Sequence, residues 1–225
     1  MIKDHLRKVF LSKFKFELTP GQDLAVDKLI DFILCPYQKN KSCFLLKGYA
    51  GTGKTSLVSA LIQTLDQFEI KLVLMAPTGR AAKVFSLFSG IEAFTIHKTI
   101  YRQKTSKDGF GEFVLNQNKY SDAVFFCDEA SMVSNDSQEK SIFGSGRLLN
   151  DLVQFVLSGK DCRLVLLGDN AQLPPVGYTQ SPALDPEYLK NFDLLVAFHE
   201  LTEVVRQASN SRSEERRVGK ECRSR

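Results

Sequence analysis

The chain has 225 residues, 43% hydrophobic and 25% charged, proportions that exclude a disordered, collagen-like or disulfide-scaffold polypeptide. No apolar run approaches the roughly 18–20 residues of a membrane helix, and residues 1–16 lack the apolar stretch and small-residue cleavage site of a signal peptide, so a cytoplasmic protein with no membrane partner is expected. The net charge of +4 sits largely at the C-terminal end: setting aside the six basic and three acidic residues of positions 212–225 leaves 24 basic against 23 acidic, so overall charge points to no partner.

In chain order, Thr19 and Pro20 read as a helix start, because the hydroxyl can cap and proline suits the first turn. Leu24, Leu29, Ile30, Ile33 and Leu34 then recur at helical spacing. Residues 43–46 form a short apolar strand that runs into a glycine-rich loop, and Leu57, Val58, Leu61, Ile62 and Leu65 mark the helix behind it. A second strand is predicted at 71–76, a helix over 80–88, further apolar strands at 123–127 and 163–167, and a weaker fifth at 192–198. Strands apolar on both faces and separated by helices imply an α/β fold with a parallel sheet flanked by helices. Residues 103–119 break the pattern. They are polar, carry the turn signal Asp108-Gly109 and then alternate at Phe113-Val114-Leu115, so a small inserted hairpin subdomain is expected there. Cys35, Cys43, Cys127, Cys162 and Cys222 form no Cys-x-x-Cys pair and no metal-ligand spacing, and read as small hydrophobes.

Three polar loops come after predicted strands. Gly48-Tyr-Ala-Gly51-Thr52-Gly53-Lys54-Thr55 fits the pattern G-x-x-x-x-G-K-[ST]. Its glycines let several N–H groups converge on one anion, and the helix behind adds its positive end. Lys54 is expected to reach the β- and γ-phosphates of a bound nucleotide, and Thr55 to supply a hydroxyl to Mg²⁺. Asp128 and Glu129 end the strand at 123–127, on the sheet edge where ligands bind, with Asp128 suited to the Mg²⁺ shell and Glu129 to orienting or deprotonating a water. After the strand at 163–167 comes Gly168-Asp169-Asn170-Ala171-Gln172-Leu173-Pro174-Pro175-Val176-Gly177. The amide of Gln172 can donate and accept, as a γ-phosphate sensor must, and the two prolines stiffen the segment behind it.

Taken together these segments resemble the superfamily 1 DNA helicases of the RecD-like and Dda-like branch. Leu18–Gln22 resembles the Q motif, 48–55 motif I, 76–83 motif Ia, 95–98 motif Ib, 128–132 motif II, 168–177 motif III and 201–207 motif IV. The resemblance implies a RecA-like P-loop domain over 1–211, with the insertion at about 103–119 and the start of a second motor domain near 200–211. It implies ATP hydrolysis coupled to 5′→3′ movement on single-stranded DNA. It assigns Gln22 to the adenine and Arg206 to the γ-phosphate, beside Gly48, Gly51, Thr52, Gly53, Lys54 and Thr55 at the nucleotide. It places Thr78, Gly79, Arg80, His97 and Lys98 on the DNA strand. Motifs V and VI are missing, and with them a second catalytic arginine, so this chain alone is not expected to unwind DNA.

Around motif Ib, Phe94, His97, Lys98, Tyr101, Arg102 and Lys104 interleave rings with cations, a mixture that suits a single strand. The same spacing also describes an ordinary helix that buries Phe94, Ile96 and Ile100. Residues 212–225 carry one aliphatic side chain, Val218, and are similar to the translation of a sequencing adapter. They are expected to be non-native, with the native frame left near Ser211. A P-loop kinase lacks its basic lid and acceptor site in this sequence. A nucleotide-binding module that acts as a non-helicase switch is the alternative. Oligomeric state and cellular pathway leave no mark in the residues.

Overall fold

Six of the apolar segments lie side by side in one parallel sheet. The structure is a computed structural model and describes residues 2–35, 41–104, 112–136, 143–169, 171–175 and 177–205. Helix α1 (Ile2–Lys13) leads into α2 (Pro20–Leu34), and strand β1 (Ser42–Gly48) is followed by α3 (Lys54–Gln67). Then come β2 (Lys71–Ala76), α4 (Gly79–Ser89), β3 (Ala93–Thr95) and α5 (Ile96–Ile100). The hairpin strands β4 (Tyr101–Lys104) and β5 (Glu112–Leu115) precede β6 (Ala123–Cys127), α6 (Leu148–Ser158), β7 (Arg163–Gly168), α7 (Pro186–Lys190) and β8 (Leu195–Leu201).

The main sheet has the order β3-β2-β6-β7-β1-β8. Side-chain alternation along each strand divides the interior in two. Phe44, Leu46, Val124, Phe126, Val165 and Leu167 pack with α1, α2 and α3 on one face. Cys43, Leu45, Phe125, Cys127, Leu164 and Leu166 pack with α5 and α6 on the other. Strands β1, β6 and β7 are buried throughout, as expected for central strands covered on both sides.

Local chemistry fixes the ends. Thr19 caps α2 in a full capping box: its hydroxyl accepts from the Gln22 amide, and the Gln22 side chain accepts from the Thr19 amide. Arg163, buried in β7, donates to the carbonyls of Ile33 and Cys35 and so closes the other end of α2. On the surface of α2, Asp23 and Asp27 both pair with Arg7 of α1.

The structure departs from the sequence expectations at several points. The insertion is a two-stranded antiparallel hairpin that begins at Tyr101, two residues before position 103, with Tyr101 opposite Leu115 and Gln103 opposite Phe113. Its Asp108-Gly109 turn lies outside the described residues. The fifth strand is Leu195–Leu201, because Phe192 and Asp193 still belong to the turn after α7 and Asp193 has φ 56°. Helices α1, α6 and α7 and the three-residue β3 are additional. Cys43 and Cys127 are buried and free, and burial pushes both thiols far above their usual value. Arg206, Cys222 and the whole of 212–225 lie outside the described residues. Among the described residues no helix is long and apolar enough to cross a membrane.

Candidate functional site

Because the six strands run the same way, the loops after them gather on one edge of the sheet. After β1 the chain turns sharply into α3. Gly53 has φ 75°, and a Cβ there would lie 2.6 Å from Gln22 Nε2, so side chains are excluded both by conformation and by contact. Thr52 is buried and its hydroxyl donates to the Tyr49 carbonyl at 2.8 Å, closing the loop on itself. Gln22 braces it from outside. Its Nε2 donates to the Thr52 carbonyl at 2.8 Å while its Oε1 accepts from the Thr19 amide at 3.1 Å. A primary amide has two donors and two lone pairs, so each end keeps one bonding position beyond those used here.

Lys54 opens α3, and its ammonium donates to the carbonyls of Gly48 and Gly168, both at 2.9 Å. It thus spans the ends of the neighbouring strands β1 and β7. Burial pulls the lysine below its usual value, against the fields of Asp169, Asp128 and Glu129. Asp128 continues β6, its amide donating to the Met75 carbonyl at 2.9 Å. Burial pushes its carboxyl up; the Glu129 amide and the charge of Lys54 oppose this. Glu129 has φ 53°, a left-handed backbone that a side chain adopts only where its surroundings hold it.

The loop after β7 is tied to the loop after β6. Ser131 donates its hydroxyl to Gln172 Oε1. Asp169 is buried, and its Oδ1 accepts from the Ala171 amide at 2.8 Å, shaping the turn that carries Gln172. Neither Ser131 nor Asp169 was expected as a site residue, although both lie inside the motif windows. Among the described residues no group of three or more His, Cys, Asp or Glu side chains could hold a metal ion. One carboxylate, Asp128, and one hydroxyl, Thr55, fit Mg²⁺ in its usual setting, where phosphates and water complete the octahedron.

The segment after β8 returns to the same place. The Val205 amide donates to the Gly51 carbonyl at 2.9 Å, and Glu203 Oε2 accepts from the Gly21 amide at 3.3 Å. His199 Nε2 lies 2.9 Å from the Gly21 carbonyl. His199 belonged to no sequence constellation, and its role here is to seat the start of α2.

The residues assigned to a DNA strand follow β2 and β3, so they lie on the same loop side, displaced toward the β3 end of the strand order. Thr78 caps α4 by accepting from the Ala81 amide at 3.2 Å; Thr78, Gly79 and Arg80 are all exposed. Nothing lies within 4 Å of a Cβ at Gly79. Lys98 is exposed, with its ammonium 4.0 Å from the ring centre of Phe94, and both line a cleft of about 240 Å³ with Glu92, Thr99 and Tyr120. His97 differs. Its ring packs 4.9 Å from Phe143 and 5.7 Å from Tyr101, and burial lowers its pKa.

Residues 17–224 match the family described as an AAA domain. The chain is 31% identical over 198 residues to the ATP-dependent DNA helicase dda of Enterobacteria phage T4, covering 84% of this chain and 40% of that protein. It is 29% identical over 135 residues to the ATP-dependent RecD2 DNA helicase of Deinococcus radiodurans, covering 59% of this chain and 16% of that one. Among solved structures, the Pif1 helicase from Candida albicans shares the fold with a TM-score of 0.53 at 22% identity, over 88% of this chain and 42% of the other. The chain therefore spans less than half the length of these proteins.

Proposed function

The chain belongs to the AAA domain family and, within it, to the Dda- and RecD-like branch of the superfamily 1 helicases, and from that premise we propose that it is the ATP-hydrolysing motor domain of a DNA helicase that moves 5′→3′ on single-stranded DNA. The observation that carries this reading is the gathering of Lys54, Asp128, Glu129 and Asp169 at the ends of three adjacent strands, β6, β7 and β1.

The amides of the loop from Gly48 to Thr55 and the N-terminus of α3 receive the phosphates of ATP. Lys54 exchanges its two carbonyl partners for anionic phosphate oxygens, which relieves a buried ammonium. Thr55 and Asp128 hold Mg²⁺, which when bound neutralises charge on the phosphates. Glu129 orients the attacking water, and Gln172, tethered through Ser131 to the same loop, reports whether the γ-phosphate is present. Gln22 faces the adenine and Arg206 the γ-phosphate. Thr78, Gly79, Arg80 and Lys98 contact the single strand, and His97, its ring packed against Phe143 and Tyr101, holds that segment in place.

Turnover of ATP with Mg²⁺ by the chain extended through a second motor domain, measured with and without an oligo-dT strand, tests the assignment. Turnover that rises with the strand and vanishes in Lys54→Ala is expected. Turnover retained in Lys54→Ala would remove the loop from the chemistry. Nucleotide binding with no turnover under either condition would favour a conformational switch.

A further inference from the structure

Asp151 is a carboxylate, 2% exposed in the first turn of α6, that the nucleotide chemistry does not use. A charge so deep must be fully bonded. Its Oδ2 accepts from the Tyr101 phenol at 2.6 Å and from the Ser145 amide at 2.9 Å, and its Oδ1 accepts from the Ser145 hydroxyl at 2.6 Å. Tyr101 is the first residue of the hairpin. The bonds are surrounded by rings: Phe143 lies 4.6 Å from Phe113 of β5 and 5.6 Å from Tyr101. The Gly144 amide donates to the Phe113 carbonyl at 2.7 Å, and a Cβ on Gly144 would fall 2.2 Å from Asp151 Oδ2. The base of the hairpin is therefore clasped to α6 with no slack.

The same helix turn is bonded to the loop that leaves the acidic pair. Two residues before Asp151, the Leu149 amide donates to the Ser134 carbonyl at 3.0 Å. One residue before it, the Asn150 amide donates to Asn135 Oδ1 at 2.9 Å. Ser131, earlier in that loop, bonds to Gln172. A continuous bonded path thus runs from Glu129 through Ser134 and Asn135 to Leu149 and Asn150, then Asp151, then Tyr101. At its start stands Glu129, with φ 53° just after the end of β6. At its end the hairpin carries the exposed cations Arg102 and Lys104.

We propose that Asp151 is a positioning residue that makes the β4–β5 hairpin follow the nucleotide state of the loop after Glu129. The proposal rests on the reading of that loop as an ATP site. Contiguity alone is not coupling, so the test must read the far end while the near end is perturbed.

Amide hydrogen exchange of β4 and β5 is measured with and without Mg²⁺ and a non-hydrolysable ATP analogue, whose affinity is measured separately. In the wild-type chain the analogue is expected to change hairpin exchange several-fold. Tyr101→Phe keeps the ring and removes one donor; it is expected to bind the analogue normally and lose most of that change. Asp151→Asn should lose it too, with a larger drop in melting temperature. A merely structural clasp would speed exchange equally with and without the analogue, leaving the nucleotide-dependent difference intact in Tyr101→Phe, and that result overturns the proposal. So does a wild-type chain that binds the analogue with no hairpin response. Failure to bind the analogue at all overturns the ATP reading and this one with it.

Discussion

Asp128 is a buried carboxylate whose ionised form is costly to the fold. Burial raises its carboxyl above the ordinary value of 3.8, so the folded state favours the protonated form. A group with a raised folded pKa gives its full stability below the unfolded value and loses it as pH rises through the folded value. At neutral pH the ionised carboxylate is therefore a burden on the ligand-free protein. Asp128→Asn is expected to raise the melting temperature at pH 7.5, and the gain should shrink as the pH approaches 4. A gain of about 1 kcal/mol reads as about 2–4 °C in a domain of this size. With Mg²⁺ and ATP analogue the gain should shrink or reverse, because the variant lacks one Mg²⁺ ligand and is stabilised less by the bound nucleotide. A variant that melts lower at pH 7.5 without ligand would show that Asp128 is stabilised by its neighbours instead. Residues such as Lys54, Thr55, Asp128 and Glu129 were legible in the sequence because their spacing is local: strand, loop and helix succeed one another within a few positions. Asp151, Ser131 and His199 were not. Their partners, Tyr101, Gln172 and Gly21, lie 50, 41 and 178 positions away, and nothing in a local pattern announces them.

At the scale of elements, α2 does two jobs that substitution can separate. Its capping box holds the helix start, and Gln22 within that box also braces the phosphate loop through the Thr52 carbonyl. Thr19→Ala removes the side-chain cap alone and is expected to cost about 0.5–2 kcal/mol while sparing nucleotide affinity. Gln22→Ala removes the cap's return bond and the brace, and should weaken nucleotide binding as well. Thermal melts with and without Mg²⁺ and ATP analogue separate the two; equal loss of affinity in both variants would mean that the loop needs the helix and not the amide. The start of this helix was readable because capping chemistry is written in adjacent residues. Strand β3 was not, since three residues carry no period, and it is a strand only because Leu74–Ala76 of β2 offers it an edge. Helix α6 does carry a period, in Leu149, Leu152, Val153 and Val156, but so short an apolar segment is poorly told from a buried strand by periodicity. The hairpin was foreseen from its turn signal and alternation, but its first strand begins at Tyr101 because Asp151 holds that residue in place.

At the scale of the whole chain, sheet order separates the proposed nucleotide residues from the proposed track. The nucleotide residues come from β1, β6 and β7, and the strand-side residues from the ends of β2 and β3 at the far edge. Ion release provides the measurement that tells true track residues from their neighbours. For single strands, log affinity falls with log salt by about 0.7 for each phosphate neutralised. Arg80→Ala and Lys98→Ala are each expected to weaken oligo-dT binding and to reduce that slope by up to about 0.7, as both are exposed cations. His97 should behave otherwise. Burial holds its pKa below the usual histidine value, so near pH 7 it carries no charge to exchange for a counterion, and its ring is engaged with Phe143 and Tyr101. His97→Ala is therefore expected to lower the melting temperature and leave the salt slope unchanged. An equal fall in slope for His97→Ala would put a charged His97 on the phosphate backbone. An unchanged slope for Arg80→Ala and Lys98→Ala together would move the track off this edge of the sheet. Lys54→Ala serves as the internal control, because a change at the nucleotide end should leave the ligand-free salt slope alone if the two halves of the sheet are separate in the way their strand order implies.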